Sequence, residues 1–215
     1  MFDMENESKA RVMKYLYKNG ALKINFEKPF LLSSGVMSPL YIDASVLISD
    51  FDARSRICGS MLFWINQHHP ASDAVIGIAN GGTVWASPIA NSKAVPLLYA
   101  LTSPKDHGLY NQIAGELPFD GAKVVVLDDV VTTGKSALSV VNALREGKNG
   151  KKAEVLSVYS VFDWDIPSVN KMFKENNIEK HSLVTVKTLL DYGVENQLLD
   201  EEVADKLLEF YNTLN

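Results

Sequence analysis

Between Val124 and Ser136 an uninterrupted apolar run, Val124-Val125-Val126-Leu127, meets two carboxylates, Asp128 and Asp129, and then a polar turn, Thr132-Thr133-Gly134-Lys135-Ser136. Four successive branched apolar residues suit a strand buried on both faces. From Lys135 onward the period changes. Ala137, Val140, Val141 and Leu144 recur at i, i+3, i+4 and i+7, which predicts a helix with one buried stripe. A doubly buried strand that runs directly into an amphipathic helix is half of a βαβ unit. It requires parallel neighbours and helices on the sheet, and so restricts the chain to α/β folds.

The rest of the sequence supplies those neighbours. Ala74-Val75-Ile76-Gly77-Ile78, Pro96 to Leu101 and Val155 to Phe162 read as buried strands, and His181 to Val186 as extended. Helices are expected from Thr83 to Asn91, from Pro167 to Asn177, and after Asp200 with Val203, Leu207, Phe210 and Leu214 inward. Ahead of the first strand, Ser8 is positioned to cap a helix carrying Val12, Tyr15 and Leu16, which Asn19-Gly20 would end. Asp50 is positioned to cap another carrying Ile57, Met61, Leu62 and Ile65. Leu22 to Tyr41 reads as short extended pieces and loops, and Thr102 to Phe119 as one long loop.

With 215 residues and 47% hydrophobic content the chain suits one domain with a sizeable core. A net charge of −5 argues against a general nucleic-acid binder. No apolar run is long enough to suggest a membrane span, and Met1 to Glu7 lacks a signal-peptide pattern, so a cytoplasmic protein is expected. Cys58, the single cysteine, permits no intrachain disulfide and reads as a packed helix residue. His68 and His69 read as the end of a surface helix and His181 as structural. No His/Cys/Asp cluster has metal-ligand spacing. Trp64, Trp85 and Trp164 read as core or pocket aromatics, with Trp164 at a strand end where a base can stack.

In parallel sheets ligands bind beyond the carboxyl ends of the strands. That places Asp128 to Ser136 at the centre of a site. Amides of Thr132 to Ser136 at a helix N-terminus can cradle a phosphate, aided by the hydroxyls of Thr132, Thr133 and Ser136 and by close backbone approach at Gly134. Asp128 and Asp129 can accept hydrogen bonds from vicinal hydroxyls and oppose positive charge developing on a sugar ring. Two other phosphate motifs fail on spacing. A P-loop ending in Gly134-Lys135-Ser136 would need glycine at 129, where Asp129 stands. Gly77 to Gly82 lacks the G-x-G-x-x-G pattern.

Residues 124–136 resemble the phosphoribosyl pyrophosphate signature of the type I phosphoribosyltransferases. Three further segments are similar to elements of the orotate branch of that family: Phe30 to Tyr41 to its N-terminal substrate loop, Gly77 to Gly82 to its pyrophosphate loop, and Lys105-Asp106-His107-Gly108 with Asn111 to Gly115 to its mobile catalytic loop. The resemblance implies a mainly parallel central sheet flanked by helices, with residues 1–45 or so forming a hood-like subdomain of a single domain over 1–215. It implies transfer of ribose 5-phosphate from phosphoribosyl pyrophosphate to orotate. Asp128, Asp129, Val130, Val131, Thr132, Thr133, Gly134, Lys135, Ser136, Asn80 and Gly81 would hold phosphoribosyl pyrophosphate. Lys105 and His107 would stabilise the departing pyrophosphate, and Thr132, Ser33 and Tyr41 would hold orotate. Mg2+ would bind through substrate oxygens rather than a side-chain cage, and the loop would reach the neighbouring subunit's site in a homodimer. Leu101 departs from the family pattern, standing where members commonly carry an arginine that contacts pyrophosphate. Transfer to another base, and a non-catalytic phosphoribosyl-pyrophosphate sensor on the same fold, are the alternatives.

Overall fold

The computed structural model describes residues 2–32, 35–102, 112–147 and 150–214. Helix α1 (Phe2–Lys18) leads into four short strands, β1 (Leu22–Ile24), β2 (Phe30–Leu31), β3 (Met37–Ser38) and β4 (Leu40–Ile42). These pair as two antiparallel ribbons, β1 with β4 and β2 with β3, separate from the main sheet. The sequence reading of Leu22 to Tyr41 as short extended pieces holds. The reading of Ser8 as a cap does not, because α1 begins at Phe2. The Ser8 hydroxyl instead donates to Ser60 Oγ at 2.6 Å and ties α1 to the helix beside it.

That neighbour is α3 (Phe51–His68), which follows the single turn α2 (Val46–Ser49). Asp50 caps α3 as expected, its carboxylate accepting from Ala53 N–H at 3.0 Å. Ile57, Met61 and Ile65 are fully buried, whereas Leu62 is only half-buried at the edge of the stripe.

The βα alternation then begins: β5 (Ala74–Ile78), α4 (Gly81–Lys93), β6 (Leu97–Ala100), β7 (Ile113–Ala114), β8 (Ala122–Val131), α5 (Lys135–Glu146), β9 (Ala153–Asp163), α6 (Pro167–Glu175), β10 (Glu179–Thr185), α7 (Val186–Glu195) and α8 (Glu201–Asn212). Six strands form one sheet in the order β10-β9-β8-β5-β6-β7. All pairs are parallel except β6 with β7. Val124 to Leu127 are completely buried, as a strand covered on both faces must be. Helix α4 packs on β5 and β8, and α5 on β9 and β8.

Five differences from the sequence reading have physical causes. Strand β8 does not stop at Leu127, because β9 continues alongside it and pairs Asp128 with Ser160, Val130 with Phe162 and Val131 with Asp163. Helix α4 starts at Gly81, so two glycines expected in a loop form its first turn. Strand β6 is not buried throughout. Leu98 and Ala100 are packed, while Leu97 and Tyr99 are 39% and 40% exposed on the other face. The expected long loop contains β7, which pairs Tyr99 with Ala114 and Ala100 with Ile113. Helix α7 was not read from sequence at all. Its signal is a capping box in which Thr185 accepts from Thr188 N–H and Thr188 Oγ1 accepts from Thr185 N–H at 3.0 Å. Threonine replaces the usual Glu or Gln at the third position, which hides the motif. No helix among the described residues is long and apolar enough to cross a membrane.

Candidate functional site

The segment after Leu127 in β8 is where the sequence centred the chemistry, and its continued pairing with β9 alters the geometry. Asp128 and Asp129 lie inside β8, not beyond its end, so strand alternation sends their side chains to opposite faces. Asp129 is half-buried and lines a cleft. Asp128 is 7% exposed, and its Oδ1 accepts from Asp129 N–H at 2.9 Å. Asp129 Oδ1 in turn accepts from Val130 N–H at 2.9 Å. Burial, and then the neighbouring Asp129 charge, push the Asp128 carboxyl well above the usual carboxylate range.

That shift has a definite sign. An acid whose native pKa lies above its unfolded value of about 3.9 contributes stability below that value and loses it as pH rises towards the native pKa. Asp128→Asn should therefore gain stability relative to wild type between pH 4 and pH 8. Paired denaturant titrations at the two values check this, and an equal stability difference at both would refute the raised pKa.

The cleft encloses about 370 Å³. Tyr41, Asp129, Val130 and Thr132, all singled out from sequence, line it together with Asp43, Ser45 and Trp164. Its floor is the end of β8 and its far wall is β4. Tyr41 is held against Phe30, with ring centroids 5.6 Å apart. Trp164 is almost fully buried, anchored by its N–H to Val131 O at 2.9 Å and set edge-on to Phe162. Asp43 and Ser45 were missed. Asp43 accepts from the Ser45 hydroxyl and from Lys23 Nζ at 2.9 Å, and these bonds, in that order, hold its carboxyl below its ordinary pKa. The signal was the Asp-x-Ser pattern directly after a strand, a turn-forming arrangement.

Asn80 and Gly81 enter from the next strand over. The Ala79–Asn80 peptide is cis, and Ala79 N–H donates to Ala100 O at 2.7 Å. A Cβ on Gly81 would fall 2.0 Å from Asp129 Oδ2, and one on Gly82 would fall 2.2 Å from Leu127 O. The two glycines thus let the loop after β5 lie directly on the acidic segment of β8.

The turn Thr132 to Gly134 delivers the chain to α5. The first helical bond there runs from Leu138 N–H to Gly134 O at 2.9 Å, so the amides of Lys135, Ser136 and Ala137 precede the hydrogen-bonded ladder. Thr133 Oγ1 lies 3.5 Å from Lys135 N. Such a helix start is an anion receptor. The role expected for Gly134 changes. Its φ is +68°, and the space of a Cβ is taken by Phe173 Cε2 at 2.5 Å and Met172 Cε at 2.7 Å. Glycine is required there by the left-handed turn and by packing on α6. Thr133, Gly134, Lys135 and Ser136 do not line the 370 Å³ cleft, and Val131 is buried. Lys105, His107 and Ser33 lie outside the described residues.

Gln112 was also missed. Its backbone carbonyl accepts from Leu101 N–H at 2.8 Å, and its side-chain amide donates to Leu101 O at 3.0 Å and to Ser139 Oγ at 2.8 Å. The two ends of segment 102–111 are therefore clamped together and fixed to α5. Two clefts of comparable size, about 320 and 340 Å³, run along α3, one by Arg11 and Arg56 and one by Arg54 and Cys58. Neither gathers residues from the strand ends. Burial raises the Cys58 thiol to about 11, which leaves it unreactive as a nucleophile.

Comparison with known proteins agrees with this geometry. A family model described as phosphoribosyl transferase domain matches residues 48–185. The orotate phosphoribosyltransferase of Coxiella burnetii is 32% identical over 197 residues, which cover 92% of this chain and 92% of that protein. The crystal structure of orotate phosphoribosyltransferase from Aeropyrum pernix is 31% identical, with a TM-score of 0.69 over 84% of this chain and 97% of that one. The structure of Leishmania donovani UMP synthase has a TM-score of 0.77 over 95% of this chain and 42% of that one. At 22% identity that likeness shows the fold alone.

Proposed function

This chain belongs to the orotate phosphoribosyltransferases, within the phosphoribosyl transferase domain family, and we propose that it transfers ribose 5-phosphate from phosphoribosyl pyrophosphate to orotate. The products are orotidine 5′-monophosphate and pyrophosphate. The observation that carries this reading is the single cleft in which Asp129, Thr132, Tyr41 and Trp164 meet beneath the glycine loop at Gly81.

The roles follow from position. The amides of Thr132, Thr133, Gly134, Lys135 and Ser136 receive the 5-phosphate at the start of α5, with Val130 and Val131 leading into the turn. Asp129, supported by Asp128, accepts hydrogen bonds from the ribose hydroxyls and faces the positive charge that develops on the ring. Asn80 and Gly81 approach the pyrophosphate from the loop after β5. Tyr41, Thr132 and Ser33 hold orotate, with Trp164 as the apolar wall. The C1–O bond to pyrophosphate breaks and pyrophosphate takes the electron pair, while an orotate ring nitrogen, giving up its proton to solvent, bonds C1 from the opposite face. Lys105 and His107 offset the charge on the departing pyrophosphate.

The residues present fit Mg2+. Asp129 offers a carboxylate at the ligand cleft, with Asp128 buried behind it. Mg2+ keeps several waters and binds through one or two carboxylates plus substrate phosphates, so one cleft carboxylate beside bound pyrophosphate is a donor set it accepts. When bound, Mg2+ neutralises charge on the pyrophosphate oxygens. We also read the protein as a homodimer with shared sites. The exposed apolar face of β6, Leu97 and Tyr99, is a surface that a second copy would cover.

Orotate should give a higher specificity constant than uracil, hypoxanthine or adenine when each is supplied with phosphoribosyl pyrophosphate and Mg2+ and pyrophosphate release is followed. Preference for another base would remove the orotate assignment and keep the reaction. No pyrophosphate release with any base would remove the transferase reading.

A further inference from the structure

His69 and His181 lie far apart in sequence and far from any ligand motif, yet the fold brings both onto one carboxylate. His69 follows the last residue of α3, and Glu179 and His181 share one face of the edge strand β10. His181 Nε2 lies 2.8 Å from Glu179 Oε1, and His69 Nε2 lies 3.6 Å from Glu179 Oε2. One ligand atom from each residue falls within 4.8 Å of the others. We propose that His69, Glu179 and His181 form a binding site for a borderline-soft divalent transition ion of the Zn2+ class, separate from the Mg2+ and substrate cleft.

Three observations support the site. The donor set, two imidazoles and one carboxylate, is the chemistry that zinc-class ions select over Mg2+ or Ca2+. Donors around a tetrahedral ion with Zn–N of about 2.0–2.1 Å are spaced ~3.3 Å apart, and the two histidine-to-carboxylate separations, 2.8 and 3.6 Å, fall on either side of that value. Finally, His69 Nε2 is buried without a hydrogen-bond partner. A buried nitrogen in that condition costs free energy unless something binds it. The ring of His181 is fixed by stacking between Tyr159, at a centroid distance of 5.0 Å, and His68, at 4.5 Å. Because the donors come from the end of α3 and from the sheet edge, a bound ion would staple those two segments. A fourth position would be left to water.

The test uses the full-length protein after chelator treatment and exchange into metal-free buffer. Zn2+ titrated calorimetrically should bind at one site per chain, and Co2+ should give the visible absorption of a four-coordinate ion. At free Zn2+ a hundredfold above its dissociation constant, Tm should rise by ~5–10 °C. His69→Gln and His181→Gln should each weaken binding tenfold or more with turnover unchanged, whereas Asp128→Asn/Asp129→Asn should retain the site. Binding that survives both histidine substitutions, or no binding to wild type, would overturn the proposal. Should either variant not fold, zinc K-edge absorption of the loaded wild-type protein decides. Two nitrogen scatterers near 2.0 Å would support the site, and an all-oxygen shell would overturn it.

Discussion

Asparagine at both 128 and 129 should lower turnover by a hundredfold or more while the protein stays folded. The substitution keeps shape and removes charge from the point where the ring becomes oxocarbenium-like. One strong transition-state contact is worth ~3 kcal/mol, or on the order of a hundredfold in rate. The structure divides the effect between the two residues. Asp129 lines the cleft beneath Gly81, so Asp129→Asn alone should account for most of the loss. Asp128 is buried with its pKa raised, so Asp128→Asn removes the cost that burial places on its ionisation. A double variant that is inactive yet no less stable than wild type separates chemistry from folding. Normal kcat in the folded double variant would remove the pair from the mechanism.

The parts legible from sequence were those written in local order. The apolar run at Val124 to Leu127, the stripe from Ala137 to Leu144 and the Asp50 cap each encode their own structure within a few residues. So does the turn from Thr132 to Gly134, which runs straight into the first turn of α5. The parts not legible depend on neighbours distant in sequence. Nothing in the segment itself extends β8 to Val131; the length of β9 does. The exposure of Leu97 and Tyr99 depends on which face of β6 is covered, and a short apolar run cannot report that. Gly134 reads from sequence as a point of close approach to ligand, and the structure gives the residue a different constraint. Its left-handed φ was implicit in the turn, but the space beside it belongs to Phe173 and Met172 on α6, not to ligand. Asp43 and Ser45 carry ordinary residue types at unremarked positions, and Gln112 reads only as part of the segment Asn111 to Gly115; the fold alone brings the first two to the cleft and bonds the third to Leu101 and Ser139.

Lys180→Met should destabilise the protein by about 3–5 kcal/mol, the largest expected effect on folding. Asp163 closes β9 with its side chain 2% exposed, directly before the cleft residue Trp164. Lys180, its side chain 16% exposed, bonds that carboxylate through its ammonium, which also lies 3.5 Å from Asp165 Oδ1. Ser182 Oγ at 3.3 Å and Asp165 N–H at 2.7 Å also donate to Asp163. Methionine preserves the side-chain volume against Phe173, over whose ring the ammonium sits at 5.9 Å, but it leaves a buried carboxylate with hydrogen bonds and no counter-charge. Breaking one partner of a buried pair costs far more than the intact pair contributes, because the remaining charge must be accommodated. Calorimetry should therefore show Tm lowered by ~10 °C or more. Adding Asp163→Asn should restore much of the loss, since the amide removes the charge and still accepts from Asp165 N–H. The same variant reaches the site through one residue. Trp164 is anchored by Val131 and flanked by Asp163, so loosening β9 should raise KM for the base more than it lowers kcat. A destabilisation below ~1 kcal/mol would place the pair with solvent-screened surface ion pairs and remove it as the support of the cleft wall.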